Sequence, residues 1–192
     1  DPVELGRRLA ARAERGVQVN LNLIGEATLG EAQVAHRLQG LYDVLARPDV
    51  DALSVKVSSI AAHLELIGWE RTLEQLVDRL AWLYEAAMRH PRTLPDGSTR
   101  PKLVNLDMEE YRDLELTLAA FKRVLDDPAL AHQPAGIVLQ AYLPDSFAAL
   151  RDLVTWAGAR QEGGGGEIKV RLVKGANLAM ERVDATLHGW QP

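Results

Sequence analysis

The sequence predicts an α/β protein of the (β/α)8-barrel (TIM) type, of which the chain contains about the first five strand–helix units. Two observations support this prediction. Apolar strand patterns alternate with amphipathic helix patterns at spacings of roughly 30–50 residues, and the strands have one aliphatic and one polar face. Alternating strands and helices imply parallel strands joined by right-handed crossovers.

The strands are predicted first from short apolar or alternating segments. These segments are 19–27 (VNLNLIGEA), 51–59 (DALSVKVSS), 102–107 (KLVNLD), 135–142 (AGIVLQAY) and 167–175 (EIKVRLVKG). The four glycines at 163–166 precede a strand instead of following one. They therefore predict a flexible loop and not a phosphate-binding turn.

The helices are predicted from apolar residues spaced three and four apart. They span residues 3–15, 29–48, 73–90, 108–127, 145–161 and 177–189. Pro48 and Pro128 stop two of them, because proline cannot continue a helix. An Asp-Ser pair at 145–146 is a start signal for the fifth.

Such units form either an open doubly wound sheet or a closed barrel, and the faces of the strands distinguish the two. In LSVKV, Leu53, Val55 and Val57 share one side, while Ser54 and Lys56 share the other. The strands NLNLI, LVNLD and KVRLV divide in the same way. An open sheet with helices on both faces has nearly continuous apolar strands. A barrel has helices only outside, and its inner face can surround a polar ligand, so the pattern favours the barrel.

The composition excludes several classes of function. The chain has 192 residues and a net charge of −5 without a Lys/Arg-rich run, which argues against nucleic-acid binding. It has no cysteine, and its five histidines lack metal-ligand spacing, so we expect no disulfide, thiol nucleophile or metal site. No apolar run approaches the ~20 residues that span a bilayer. We therefore expect a cytoplasmic protein, with residues 1–192 in one domain.

Polar side chains stand toward the carboxyl end of every predicted strand. They are Glu26, Lys56, Asp107, Gln140, and Arg171 with Lys174. The active sites of barrel enzymes lie at this end of the strands. Lys56, Arg171, Lys174 and Asp107 together give a charge of roughly +2, and desolvated cations are costly unless an anion accompanies them. The pattern predicts a site for a phosphate, a carboxylate or both.

Other interpretations of the same residues remain open from the pattern alone. Lys56 and Arg171 could be structural cations paired with Asp107 or Glu26. Asp107 could cap a helix that begins at the next residue, and Gln140 could be a hydrogen-bonded core amide. A Schiff-base aldolase with Lys174 or Lys56 as nucleophile would need a lysine in a dry site. A non-catalytic α/β interaction module is the third alternative.

Five segments in order resemble the proline dehydrogenase domain, in the form found in bifunctional proline utilization A proteins. They are LIGEATLGEA, SVKVSSI, NLDMEEYRDLELT, LQAYLPDS and VRLVKGAN. The resemblance implies a distorted barrel that binds FAD and oxidises L-proline to Δ1-pyrroline-5-carboxylate by hydride transfer to the flavin. It also implies a membrane quinone as electron acceptor, peripheral contact with the membrane, and an aldehyde dehydrogenase domain in the same full-length chain.

The resemblance assigns roles to individual residues. Arg171 resembles the catalytic arginine beside flavin N5, and Lys56 a catalytic lysine in the pocket for the substrate carboxylate. Asp107 resembles the aspartate that orients the active-site cations and contacts both substrate and cofactor. The other implied cofactor-binding positions are Met108, Gln140, Val173, Lys174, Gly175 and Ala176. At Asn177 many family members have an aromatic residue.

The number of units bears on what this chain does alone. A closed barrel has eight units in ~250 residues, so the resemblance implies that residues 1–192 are the N-terminal part of a larger catalytic domain. The family's paired arginines for the proline carboxylate belong to its last helix. We therefore expect the isolated chain to be inactive. Free edges at its first and fifth strands would favour self-association into a homo-oligomer.

Overall fold

The structure is a computed structural model that describes residues 1–24, 28, 30–62, 64, 68–94, 96–108, 110–175 and 177–190. Two of the predicted rim and cofactor positions, Glu26 and Ala176, lie outside these residues.

Helices and strands alternate along the described chain, as predicted. The helices are α1 (Pro2–Ala13), α2 (Glu31–Ala46), α3 (Val57–Ile60), α4 (Trp69–Arg89), α5 (Leu114–Leu125), α6 (Ser146–Glu162) and α7 (Leu178–His188). The strands are β1 (Asn20–Asn22), β2 (Ala52–Lys56), β3 (Arg92–Thr93), β4 (Thr99–Arg100), β5 (Leu103–Asp107), β6 (Ala135–Gln140) and β7 (Ile168–Val173).

Five of these strands form one parallel sheet in the order β1-β2-β5-β6-β7. Apart from the separate β3–β4 hairpin, each strand lies beside the strand that precedes it in the chain. A doubly wound sheet would reverse its strand order at a switch point. The uniform order is that of consecutive units of a (β/α) barrel, and the predicted parallel α/β architecture is confirmed.

The aliphatic sides of the strands face the helices, and together they form the core. The buried members from the sheet are Leu53, Val55, Val104, Leu106, Ile137 and Leu139. They belong to one cluster with buried side chains of α2, α4, α5 and α6. Each such side chain contributes roughly 1.5–3 kcal/mol on burial. The opposite, polar face of the sheet therefore carries no part of this helix-packed cluster and is available for a site.

Two predicted elements differ clearly from those observed, and residues 91–101, where no element was predicted, contain a hairpin. The second predicted strand ends at Lys56, because residues 57–60 turn into the short helix α3. The loop 91–101 contains the β3–β4 hairpin, whose turn is closed by Asp96 Oδ1 accepting from the Ser98 amide (2.9 Å). The helix predicted from residue 108 begins only at Leu114, after a 3-10 turn.

A buried lysine joins the amino end of β5 to the end of α2. Lys102 Nζ donates to the carbonyl oxygens of Leu45 (2.7 Å) and Arg47. A cation at a helix C-terminus is favoured by the helix dipole and by the unpaired carbonyls of the last turn. This anchor fixes where β5 begins, and so where its last residue, Asp107, is placed.

A second cation, Arg160 of α6, joins three elements of the helical layer. Its guanidinium donates to the carbonyl oxygens of Leu130 (2.8 Å), Ala131 (2.7 Å) and Leu125. These acceptors close the end of α5 and the segment that leads into β6. Arg160 therefore replaces backbone hydrogen bonds that the ends of these elements lack.

Within the described residues, none of the helices combines the length and apolarity needed to cross a membrane.

Candidate active site

Three of the predicted site residues form one row across the polar face of the sheet. Lys56 at the end of β2 is directly opposite Asp107 at the end of β5. Leu106 pairs with Ile137, so Asp107 faces Val138, and Val138 pairs with Arg171. Successive side chains of a strand alternate between faces, which puts Lys56, Asp107 and Arg171 on the same side.

Asp107 is the centre of a hydrogen-bond network on this face. Its Oδ1 accepts from a guanidinium nitrogen of Arg171 at 2.6 Å and from Asn105 Nδ2 at 2.8 Å. Asn22 Nδ2 and Ser54 Oγ donate to the carboxylate at 3.3 Å each. The Asp107 side chain is only 12% exposed, whereas that of Arg171 is 44% exposed. Asp107 therefore holds a guanidinium that a ligand can still reach.

These contacts separate two of the structural interpretations. The Arg171–Asp107 ion pair exists, as the structural interpretation of Arg171 predicts. A cap by Asp107 is wrong, because Asp107 is the last residue of β5 and the next helical turn starts at Tyr111. Its carboxylate instead accepts hydrogen bonds on the polar face of the sheet.

A second cluster lies one step further along β6 and β7. Gln140 is opposite Val173. The Gln140 side chain is 1% exposed, and its Nε2 lies 3.7 Å from Met108 Sδ, as a donor to that sulfur. The Ser146 hydroxyl donates to the Gln140 carbonyl at 2.6 Å, where β6 ends and α6 begins. Three predicted cofactor-contact residues are thus brought together at the carboxyl end of the sheet.

The turn after β7 depends on a residue that sequence reasoning missed. Gly175 has φ +127°, and a Cβ added there would lie 1.4 Å from Cε1 of Tyr142. The Tyr142 amide also donates to the carbonyl oxygen of Lys174 at 3.2 Å. Gly175 is one of the implied cofactor-binding positions, but the Tyr142 ring alone already requires a glycine there. Tyr142 follows Gln140 by two residues in LQAY, which was the available signal.

Tyr111 connects the segment after β5 to the starts of α6 and α7. Its amide donates to Glu181 Oε1 at 2.8 Å, and its hydroxyl donates to Asp145 Oδ2 at 2.5 Å. The amide is thereby directed to α7 and not into a helix beginning at 108, which explains the late start of α5. The carboxyl ends of β5, β6 and β7 are tied together by these contacts.

Asp113 follows this turn, and its carboxyl is almost buried. Burial raises the pKa of Asp113 to about 6, and the negative charge of Glu110 adds to the effect. Arg112 acts in the opposite direction, while Glu181 raises the pKa slightly further. Asp113 therefore binds its proton more tightly in the folded protein than in the unfolded chain.

This shift predicts a pH-dependent loss of stability. Below about pH 4, Asp113 makes its full contribution to stability. This contribution is lost as the pH rises through about 6, because the folded state then releases the proton that it had bound more tightly than the unfolded chain. We expect Asp113→Asn to exceed the wild type by roughly 1–3 kcal/mol in free energy of unfolding at pH 7, with a smaller difference at pH 4. Urea unfolding at both pH values measures this. An equal difference at both pH values would contradict the assignment.

A cavity of about 350 Å³ opens on the same face, nearer the amino ends of the strands. Asn20, Ala52 and Leu103 line it at the strand starts, and it reaches Asn105 and Arg171. Catalytic groups of barrel enzymes lie at the opposite, carboxyl end. We therefore assign the candidate site to the carboxyl end, with Arg171 between that site and the cavity. No group of three or more metal-ligating side chains occurs among the residues that the structure describes.

Comparisons with known proteins give the relatives of the fold and the family. The chain is similar to proline utilization A from Corynebacterium freiburgense, with 44% identity and a TM-score of 0.90 over 98% of this chain and 19% of that one. Proline utilization A from Bdellovibrio bacteriovorus, inactivated by N-propargylglycine, is 27% identical with a TM-score of 0.85, over 99% of this chain and 21% of that one. A variant of proline utilization A from Bradyrhizobium japonicum is 26% identical with a TM-score of 0.74, over 90% of this chain and 17% of that one.

The chain spans about a fifth of the length of these structures. A search of curated proteins gave no match. The profile of the proline dehydrogenase family matches residues 5–192, almost the whole chain. This chain therefore belongs to the proline dehydrogenase family.

Proposed function

We propose that the chain is the N-terminal part of a flavin-binding catalytic domain that oxidises L-proline to Δ1-pyrroline-5-carboxylate. The protein that contains it would carry an aldehyde dehydrogenase domain in the same chain, as the similarity to proline utilization A suggests. The observation that carries this proposal is the row Lys56–Asp107–Arg171 on one polar face, with the 2.6 Å Asp107–Arg171 contact at its centre.

The residues at the carboxyl end fit FAD by the chemistry of their donors. The Arg171 guanidinium, the Gln140 amide and the Lys174 ammonium are donors on neighbouring strand ends. The edge of a flavin presents mainly acceptors, and its diphosphate is an anion. We assign flavin contacts to Arg171, Gln140 and Val173, with Asp107 and Met108 beside them. Lys174, Gly175 and Ala176 would meet the phosphate-bearing tail.

When bound, the flavin would supply the two-electron acceptor for oxidation of the proline C–N bond. Arg171 places a fixed positive charge where negative charge develops during that oxidation. Lys56, at the other end of the row, is placed to bind the proline carboxylate. Two cations near the substrate also lower the pKa of its amine, which favours the unprotonated nitrogen that the reaction needs. Asp107 holds Arg171 in position and offsets part of the charge.

The alternative of a Schiff-base aldolase is less consistent with this geometry. Lys174 is exposed in the turn after β7. A lysine nucleophile has to be held neutral, usually by removal from water. Lys56 lies opposite the Asp107 carboxylate on the polar face of the sheet, which is not the dry site that a lysine nucleophile requires.

The proposal extends to the electron acceptor through family resemblance. Electrons would leave the flavin for a quinone at the membrane surface, with peripheral contact between the protein and the bilayer. Self-association through the edge strands β1 and β7 stays a prediction.

The full-length protein provides the test. We expect an absorbance band near about 450 nm that L-proline bleaches under anaerobic conditions. Cyclopentanecarboxylate is the matched control, since it has the carboxylate and the ring but no nitrogen, and it should leave the band unchanged. A carefully purified protein without the band, or a band that proline does not bleach, would overturn the proposal.

A further inference from the structure

We propose that Asn105 is a positioning residue, which orients the Asp107 carboxylate toward Arg171. Position 136 is glycine because a larger residue there would overlap the Asn105 side chain. The inference rests on the proposed function for its catalytic readout. Its geometric part concerns only side chains of this chain.

Asn105 lies in the middle of β5, two residues before Asp107 and on the same face. Its side chain is 3% exposed. Its Nδ2 donates to Asp107 Oδ1 at 2.8 Å and to Ser54 Oγ at 3.3 Å. The Ser54 hydroxyl in turn accepts from Asn20 Nδ2 at 2.8 Å. A polar layer, buried at Ser54 and Asn105, thus lies beside the row that contains Asp107.

Asn105 and Arg171 donate to the same carboxylate oxygen. Two further neutral donors to Asp107, Asn22 and Ser54, are each 3.3 Å away. The bond from Asn105 is therefore the shortest of these three neutral hydrogen bonds to the carboxylate, and shorter, well-aligned bonds constrain more strongly. Without it, the Asp107 carboxylate can rotate, and the guanidinium it holds can move with it.

Gly136 on β6 is directly opposite Asn105. A Cβ at position 136 would lie 2.4 Å from Asn105 Oδ1 and 3.2 Å from its Cγ. Gly136 does not have a positive φ, so the backbone would accept alanine. The requirement for glycine comes mainly from the Asn105 amide, because the Asn105 Cβ, which an alanine would keep, is less close at 3.3 Å. The two positions should therefore behave as one unit.

The test is a double-mutant cycle in the full-length protein. We expect Asn105→Ala and Gly136→Ala each to slow anaerobic flavin reduction at saturating proline by about 10-fold or more, while proline affinity changes less. The double variant should be no slower than the worse single variant, because removing the amide creates room for the methyl group added at position 136. Effects that multiply would overturn the proposed coupling. Gly158→Ala is the matched control: a Cβ there has nothing within 4 Å, and the rate should not change.

A second variant separates positioning from packing. Asn105→Asp keeps the shape of the side chain but replaces the donor by a second carboxylate, which raises the pKa of the pair. We expect its flavin reduction to increase with pH over a range where the wild type is flat. If Asn105→Asp has the wild-type rate and pH profile, Asn105 only fills space and the positioning role is wrong.

The cycle also distinguishes failure of this inference from failure of the proposed function. If proline does not reduce the wild-type protein, the proposed function is wrong. The melting temperatures of the wild type, the two single variants and the double variant still report the Asn105–Gly136 coupling. We expect Gly136→Ala to lower Tm in the wild type and much less in the Asn105→Ala background. Equal losses of Tm in both backgrounds would contradict the steric argument.

Discussion

Replacing Arg171 with methionine is expected to lower the rate of flavin reduction by proline about 100-fold or more. Methionine retains most of the aliphatic length and removes the charge and all the donors. A preorganised cation near developing negative charge contributes mainly in the transition state. The defect should therefore appear in the rate at saturating proline and less in proline affinity.

The effect on folding should be much smaller. The Arg171 side chain is almost half exposed, and exposed ion pairs contribute only about 0–1 kcal/mol. Arg151→Met on the exposed surface of α6 is the control for loss of one arginine, and it should reduce at the wild-type rate. Stopped-flow reduction and urea unfolding of the three proteins give the comparison. An Arg171→Met protein with unchanged turnover would show that Arg171 is structural.

Replacing Arg160 with methionine should cause a large loss of stability, on the order of 3 kcal/mol in the free energy of unfolding. The guanidinium donates to four carbonyl oxygens around the end of α5 and the entry to β6, those of Leu125, Leu130, Ala131 and, at 3.4 Å, Gln133. Methionine removes the guanidinium, whose Cζ lies 5.9 Å from the centroid of the Trp156 ring, and leaves these acceptors without their donor. Buried acceptors that lose a charged donor are costly.

Arg160→Lys is the graded control, because an ammonium can reach some of these acceptors but lacks the planar fork of guanidinium donors. We expect its free energy of unfolding to lie between those of the wild type and Arg160→Met in urea titrations. Equal stability of all three proteins would show that water replaces the guanidinium at no cost.

The fold could be predicted from sequence where periodicity was strong. The period-two alternation of β2, β5 and β7 indicated one polar face, and this placed Lys56, Asp107 and Arg171 on one side of the sheet. Element boundaries were less predictable where distant residues decide them. The start of α5 depends on Glu181, which is 70 residues from Tyr111 in the chain.

The site could be predicted only in part for a similar reason. Gln140 and Asp107 are marked by their positions at strand ends. The importance of Asn105 depends on its being opposite Gly136, and the need for Gly175 depends on the Tyr142 ring. Both facts follow from the register between strands. Neither fact can be predicted from a sequence whose strand register is unknown.

The order in which the strands neighbour one another has a consequence for how the protein is made. Each new strand of the main sheet pairs with the one synthesised just before it, so the sheet can be extended at one edge as the chain leaves the ribosome. Contacts between successive units are short in sequence compared with those of a sheet whose strands are shuffled. The edge strand β7, which carries Arg171, is the last of the described strands of this sheet to be synthesised, so Asp107 and Asn105 leave the ribosome before the arginine that pairs with Asp107.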